Sequence, residues 1–188
     1  LSHVVTELPE AALPALRDRM TRTTTVLWVE PGTPAASAAL VRMRESLRDL
    51  LRPVAPCLHA ERCGLLAPDN VSHWCHQFAD PPPEVFTDPF WTRFGRMLGV
   101  DLRSLPLSYL VLDRRPAPPT GPAGARPLRM LGRPRVLKPE VRLIGCDASG
   151  VSERVFTRRE HPELWRAARK ERLGSVLESS PPVPPGKD

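Results

Sequence analysis

The chain has 188 residues, with 27 Lys and Arg against 21 Asp and Glu, four cysteines, five histidines and 24 prolines; this bounds it to about one domain with much of its length in loops. No apolar run reaches the roughly 18 residues of a spanning helix and no basic-then-apolar leader opens the sequence, so the composition reads as soluble. The net charge of +6 is local, because residues 126–172 hold 13 Lys or Arg against 6 Asp or Glu.

The chain begins at Leu1 rather than Met, inside LSHVV, which reads as the end of a strand and hence as a fragment or a processed chain. Pro9 and Pro14 suit the first turn of a helix over 11–20. Residues 23–29 (TTTVLWV) read as a buried strand that stops at Glu30-Pro31-Gly32. Thr33 is an N-cap with Pro34 in the first helical position, and Ala36, Leu40, Met43, Leu47 and Leu50 form one apolar stripe. This alternation predicts an α/β layer with a mostly parallel sheet. Residues 57–78 break the pattern, holding three of the four cysteines and three of the five histidines without an apolar period. A short helix around Trp91 and a strand over 107–113 (LSYLVLD) follow. Residues 116–127 read as a Pro/Gly/Ala linker, 141–146 and 151–157 as a β-hairpin around Asp147-Ala148-Ser149-Gly150, 161–172 as a basic helix, and 179–188 as a disordered Pro-rich tail.

Three explanations compete for Cys57, Cys63, Cys75 and Cys146: disulfides, unrelated buried thiols, or a metal site. The absence of a secretory signal disfavours disulfides. Crowding of three thiols in a loop with little else to bury disfavours the second. Structural zinc normally shows tight C-x2-4-C knuckles, which do not occur here, whereas iron-sulfur clusters accept wider spacings and distant loops. His59, His73 and His76 read as polar loop residues or outer hydrogen-bond donors rather than ligands. No nucleophile elbow, HExxH or Walker loop supports a hydrolase or kinase, and no GxGxxG-like turn is present. Methyl transfer asks little of side chains beyond proximity, so the missing motifs leave it open. Arg126, Arg129, Arg133 and Arg135 follow the linker, and Arg158, Arg159, Arg166, Arg169 and Arg172 follow the hairpin and line the last helix. Both groups are placed to face one polyanion.

Val29-Glu30-Pro31-Gly32-Thr33-Pro34, Ala55-Pro56-Cys57-Leu58-His59, Cys63, Trp74-Cys75-His76, Ser108-Tyr109, Gly132-Arg133-Pro134 and Cys146 resemble the methyltransferase-like small-ribosomal-subunit proteins, mitochondrial ribosome-assembly factors and their bacterial relatives, over about residues 1–172. The resemblance implies an α/β fold: the C-terminal part of a class I Rossmann-like methyltransferase sheet, entered at its fourth strand, with a cysteine-rich insertion and a C-terminal β-hairpin plus helix. The implied divisions are 1–55 (second half of the core), 56–80 (cysteine-rich insertion), 81–115 (return to the sheet), 116–128 (linker), 129–178 (basic hairpin and helix) and 179–188 (tail). It further implies a 4Fe-4S cluster on Cys57, Cys63, Cys75 and Cys146, with zinc as the alternative. Leu58 and Gly64 stand where relatives commonly have proline, which donates no ligand. Ser2, His3 and Glu7 fall by resemblance near the mouth of an S-adenosylmethionine pocket, whose glycine-rich half is missing from this sequence; that cofactor is expected only with that half. The implied function is S-adenosylmethionine-dependent methyltransferase-like action in small-subunit assembly and translation, with small-subunit ribosomal RNA as partner, no membrane, and a bacterial cytoplasmic or mitochondrial matrix location. The alternatives are a non-catalytic RNA-binding assembly factor on the same scaffold and a zinc-stapled nucleic-acid module.

Overall fold

The computed structural model describes residues 1–116 and 127–177. The tail expected at 179–188, and all but the ends of the linker expected at 116–128, lie outside these residues.

A 3₁₀ turn at Glu10–Ala12 leads into helix α1 (Leu13–Met20), with Pro14 in its first turn. Strand β1 (Thr25–Pro31) follows, then helix α2 (Pro34–Leu47), capped as its sequence predicts by the Thr33 hydroxyl, which accepts the Ala36 N–H. Next come β2 (Arg52–Ala55), β3 (Gln77–Phe78), α3 (Glu84–Thr87), α4 (Pro89–Leu98, containing Trp91) and β4 (Pro106–Asp113). The second half comprises β5 (Leu128–Val136), β6 (Glu140–Asp147), β7 (Gly150–Thr157), α5 (Pro162–Arg169) and β8 (Val176–Leu177). Among the described residues no helix is long and apolar enough to cross a membrane.

The first sheet runs β1-β4-β2, with β3 pairing the start of β4. The expectation of a mostly parallel sheet fails here. Strand β4 lies between β1 and β2 and runs against both, so these two are parallel to each other without touching, and every named ladder is antiparallel. The parallel contact is a single bridge, Ser2 to Val29, which places the opening residues beside the end of β1. Strand β1 is also not buried on both faces. It alternates, sending Val26, Trp28 and Glu30 inward while Leu27 stays 59% exposed. Ala36, Leu40, Met43 and Leu47 of the predicted stripe cover Trp28, Leu110 and Leu112, whereas Leu50, past the end of α2, is exposed.

The second sheet runs β7-β6-β5-β8, all antiparallel. The hairpin β6-β7 matches the expected one, with β6 one residue longer at each end and β7 one residue longer at its start. Strand β5 was not expected, because Gly132 and Pro134 argue against a strand interior. The chain accommodates them with a register shift between Leu131 and Arg135, where Gly132 adopts φ +70°. A Cβ at Gly132 would sit 2.8 Å from the His76 ring, so β5 and the cysteine-rich segment meet at this point. Helix α5 packs Trp165 and Ala168 on Val141, and Leu128, Met130, Leu143 and Phe156 complete this second core.

Candidate metal centre

The two sheets face each other across residues 56–76, and the four cysteines line one pocket between them. Helix α2 supplies Ser37, Leu40, Val41 and Arg44 to its wall, β4 supplies Ser108 to Leu110, and β5 and β6 supply Arg129, Leu131 and Cys146. The cavity is about 40 Å³, roughly three times what a single water needs.

Each thiol is held through its backbone or through the sulfur itself. The Cys75 N–H donates to Ser37 Oγ at 2.9 Å, and Ser108 Oγ donates to the Cys75 carbonyl at 2.7 Å. Both serines are 2% exposed, so α2 and β4 grip Cys75 from two sides. The Cys63 N–H donates to Glu45 Oε1 at 3.1 Å. The next residue, Gly64, lies flat on the β6-β7 turn, where a Cβ would approach Val151 N to 2.5 Å; a proline ring could not take this position without moving the turn. Asn70 Nδ2 reinforces the contact by donating to the Gly64 and Val151 carbonyls. Cys146 is the penultimate residue of β6, and its sulfur lies 3.7 Å from His59 Nε2. His59 Nδ1 is buried without a partner among the described residues.

Arg44 is the charged group at the centre of this arrangement and is 2% exposed. Its Nε donates to Cys57 Sγ at 3.2 Å, its Nη2 donates to the carbonyls of His59 and Glu61 at 3.1 and 2.8 Å, and its Nη1 pairs with Glu45. Arg129 donates from Nε to the Pro56 carbonyl at 2.8 Å and from Nη1 to Ser175 Oγ at 2.9 Å, so it belongs to this wall and not to an open basic face. Burial, with the other sulfurs adding to it, pushes the Cys75 and Cys63 thiols up and takes Cys146 up to about 12. Burial, then the Arg44 charge, pushes the His59 imidazole down.

All four cysteines are free thiols. Among the described residues no three or more His, Cys, Asp or Glu side chains are grouped as holding a single metal ion requires. A lone zinc at about 2.3 Å from each sulfur would draw its thiolates to about 3.8 Å of one another. A cubane of iron and sulfide is wider than one ion and takes its thiolates further apart.

The remaining predicted residues are dispersed. Ser2, His3 and Glu7 are exposed on the turn beside β1, with the His3 N–H donating to the Val29 carbonyl at 2.9 Å. The polar anchor of that turn is Glu30, fully buried, whose Oε1 accepts from Val4 N, Val5 N and Trp28 Nε1 at 2.8, 2.9 and 2.5 Å. Arg133, Arg158 and Arg169 line a groove of about 890 Å³ between β3, β5 and α5. Arg133 lies 4.6 Å over the Phe78 ring and donates to Ser104, and Arg158 and Arg169 lie 4.4 and 5.4 Å from Trp165. Arg135 and Arg159 are exposed outside the groove, and Arg166 is tied to Glu163.

Sequence reasoning assigned no role to Ser37, Arg44, Ser108 or Glu30, and it placed Arg129 in the basic series rather than in this wall. A signal existed for two of them: Ser37 and Arg44 fall at stripe spacing in α2, among Leu40, Val41 and Leu47, where polar groups require a buried partner. A family model described as mitochondrial small ribosomal subunit Rsm22 matches residues 1–178. No curated protein matches the chain.

Proposed function

The chain belongs to the mitochondrial small ribosomal subunit Rsm22 family, so its function lies with the small ribosomal subunit; from that membership and the four-thiol pocket, we propose that it is the C-terminal portion of a methyltransferase-like assembly protein, stapled by a 4Fe-4S cluster and holding small-subunit ribosomal RNA. The observation that carries this reading is the convergence of Cys57, Cys63, Cys75 and Cys146, from three separated stretches of chain, on one pocket between two sheets.

The donor set fits such a group. The burial that pushes these thiols up disfavours their thiolates, so ligation here requires a metal's positive charge to replace the thiol protons. The unpartnered His59 Nδ1 and the inward-pointing Arg44 are polar groups that a hydrophobic core would not retain. When bound, the cluster would supply iron-thiolate bonds that cross-link the insertion to β6 of the second sheet. The residues do the rest: Ser37 and Ser108 orient Cys75, Glu45 orients Cys63, and Arg44 offsets thiolate charge.

The strand order supports the methyltransferase-like scaffold: an antiparallel β4 inserted between parallel β1 and β2, with Ser2 pairing in parallel outside β1. S-adenosylmethionine is another matter. Ser2, His3 and Glu7 stand on an exposed turn and the sequence has no glycine-rich phosphate-type turn, so no methyl-transfer step is assigned to these residues. An RNA-holding role is favoured for this segment by the Arg133, Arg158 and Arg169 groove, where guanidinium planes lie on aromatic rings beside exposed Lys138. Ultraviolet crosslinking in cells, followed by sequencing of the attached RNA, tests the reading. Small-subunit ribosomal RNA should dominate the crosslinks, and an even spread over messenger and large-subunit RNA would overturn it.

A further inference from the structure

A guanidinium with 2% exposure is expensive to bury, and Arg44 is buried against sulfur rather than against a carboxylate pair alone. Its fork spans the two turns that carry the first two cysteines: Nε meets Cys57 Sγ, and Nη2 holds the His59 and Glu61 carbonyls on the way to Cys63. Glu45, next in the helix, takes both Arg44 Nη1 and the Cys63 N–H. One helical turn of α2 therefore organises both cysteines while presenting one positive charge to the sulfurs.

From this geometry we infer that Arg44 is the positioning residue that sets the electron affinity of the cluster, an inference that rests on the iron-sulfur reading of the four thiols. The physical basis is charge. Four thiolates around a cubane carry net negative charge, and one-electron reduction makes it more negative by one. A hydrogen-bonded cation on a ligand sulfur, in a pocket of low polarity, favours the reduced state; its removal disfavours it. In the test the electron comes from dithionite, and no bond is made or broken in the protein. Arg129 shares the wall, but its Nε is committed to the Pro56 carbonyl, so Arg44 is the cation bonded directly to a sulfur.

The test compares the anaerobically purified wild-type chain with R44M, R44K and R42M, reading iron and sulfide content, the midpoint of a dithionite titration followed by electron paramagnetic resonance, and the rate of iron loss to a chelator. Arg42 is exposed on the same helix, so R42M removes an equal charge away from the pocket. In R44M the equilibrium constant for reduction should fall at least tenfold, about 59 mV for one electron, with faster loss of iron. In R44K, which keeps charge but not the fork, the equilibrium constant for reduction should stay within threefold of wild type, about 28 mV for one electron, while iron is lost faster. R42M should match wild type. A midpoint in R44M equal to that of wild type, or one in R42M displaced as far, refutes the inference. If R44M does not fold, R44K decides: an equilibrium constant for reduction within threefold of wild type sustains the electrostatic role, and a larger displacement refutes it. Wild-type protein that carries zinc or no metal fails the iron-sulfur reading itself, and the inference falls with it; an iron-sulfur wild type with an indifferent Arg44 fails the inference alone.

Discussion

Removing the Ser108 hydroxyl isolates how the fold presents Cys75. Ser108 is 2% exposed and its Oγ donates to the Cys75 carbonyl at 2.7 Å, while Ser37, equally buried, accepts the Cys75 N–H at 2.9 Å. In S108A the carbonyl is left buried beside a methyl group that cannot donate. An orphaned buried polar group costs about 1–3 kcal/mol. For a chain of this size each kcal/mol is worth about 2–4 °C, so the melting temperature should fall by roughly 2–12 °C. S37A should cost a similar amount by orphaning the N–H. The double variant should cost less than the sum by about 0.5–3 kcal/mol, because freeing one side of Cys75 lets the other relax. Denaturant unfolding under reducing conditions with a chelator present reads the packing term without metal. The same variants, loaded with iron, should lose it faster than wild type. Losses below about 0.5 kcal/mol for both single variants, the ordinary range for surface substitutions, would refute the claim that these hydroxyls fix Cys75.

Three further outcomes are expected. G132A should lower the denaturation midpoint, since the position has φ +70° and a Cβ would meet the His76 ring at 2.8 Å; the backbone term alone is about 1–2 kcal/mol, and an unchanged midpoint would contradict the described junction of β5 with the insertion. The Arg115 guanidinium holds the Asp113 carboxyl well below the usual carboxylate range, so its contribution is present above the unfolded value of about 3.9 and is lost as pH falls beneath it. The stability difference between wild type and D113N should therefore shrink below about pH 4, and a difference independent of pH there would exclude the linkage. For RNA, Arg135, Arg158, Arg159 and Arg169 form no ion pair among the described residues, and four such contacts to a single strand give a log-log salt slope of about −2.8. R158Q/R169Q should flatten that slope by about 1.4, and an unaltered slope would place the RNA elsewhere.

The elements legible in the sequence were those with local signals. Thr33-Pro34 and the stripe from Ala36 to Leu47 gave α2, and the Asp147 to Gly150 turn gave the β6-β7 hairpin. Strand β5 was hidden because Gly132 and Pro134 are strand breakers in isolation; the tertiary contact with His76 and the register shift that accommodates them have no local signature. The parallel expectation for the first sheet failed for a similar reason, since a later strand, β4, inserted between two earlier ones. At the site, the four cysteines were visible as residue types, but their common pocket depends on two sheets meeting. Arg129 read as one of a basic series and is instead a wall residue bonded to Pro56. Glu30 sat in plain view in VEPGTP, yet its role as acceptor for three donors follows from the opening turn folding back over β1.

The most direct measurement of the central claim is the iron and acid-labile sulfide content, with the Mössbauer spectrum, of anaerobically purified wild type and C146S. Cys146 reaches the pocket from the second sheet, about seventy residues after Cys75 in sequence, and so reports whether the group ties the insertion to that sheet. The wild type should carry about four irons and four sulfides per chain with a 4Fe-4S spectrum. C146S should lose most of that iron while its sheets still unfold cooperatively. Stoichiometric zinc without sulfide in the wild type, or a full cluster retained in C146S, would contradict the account.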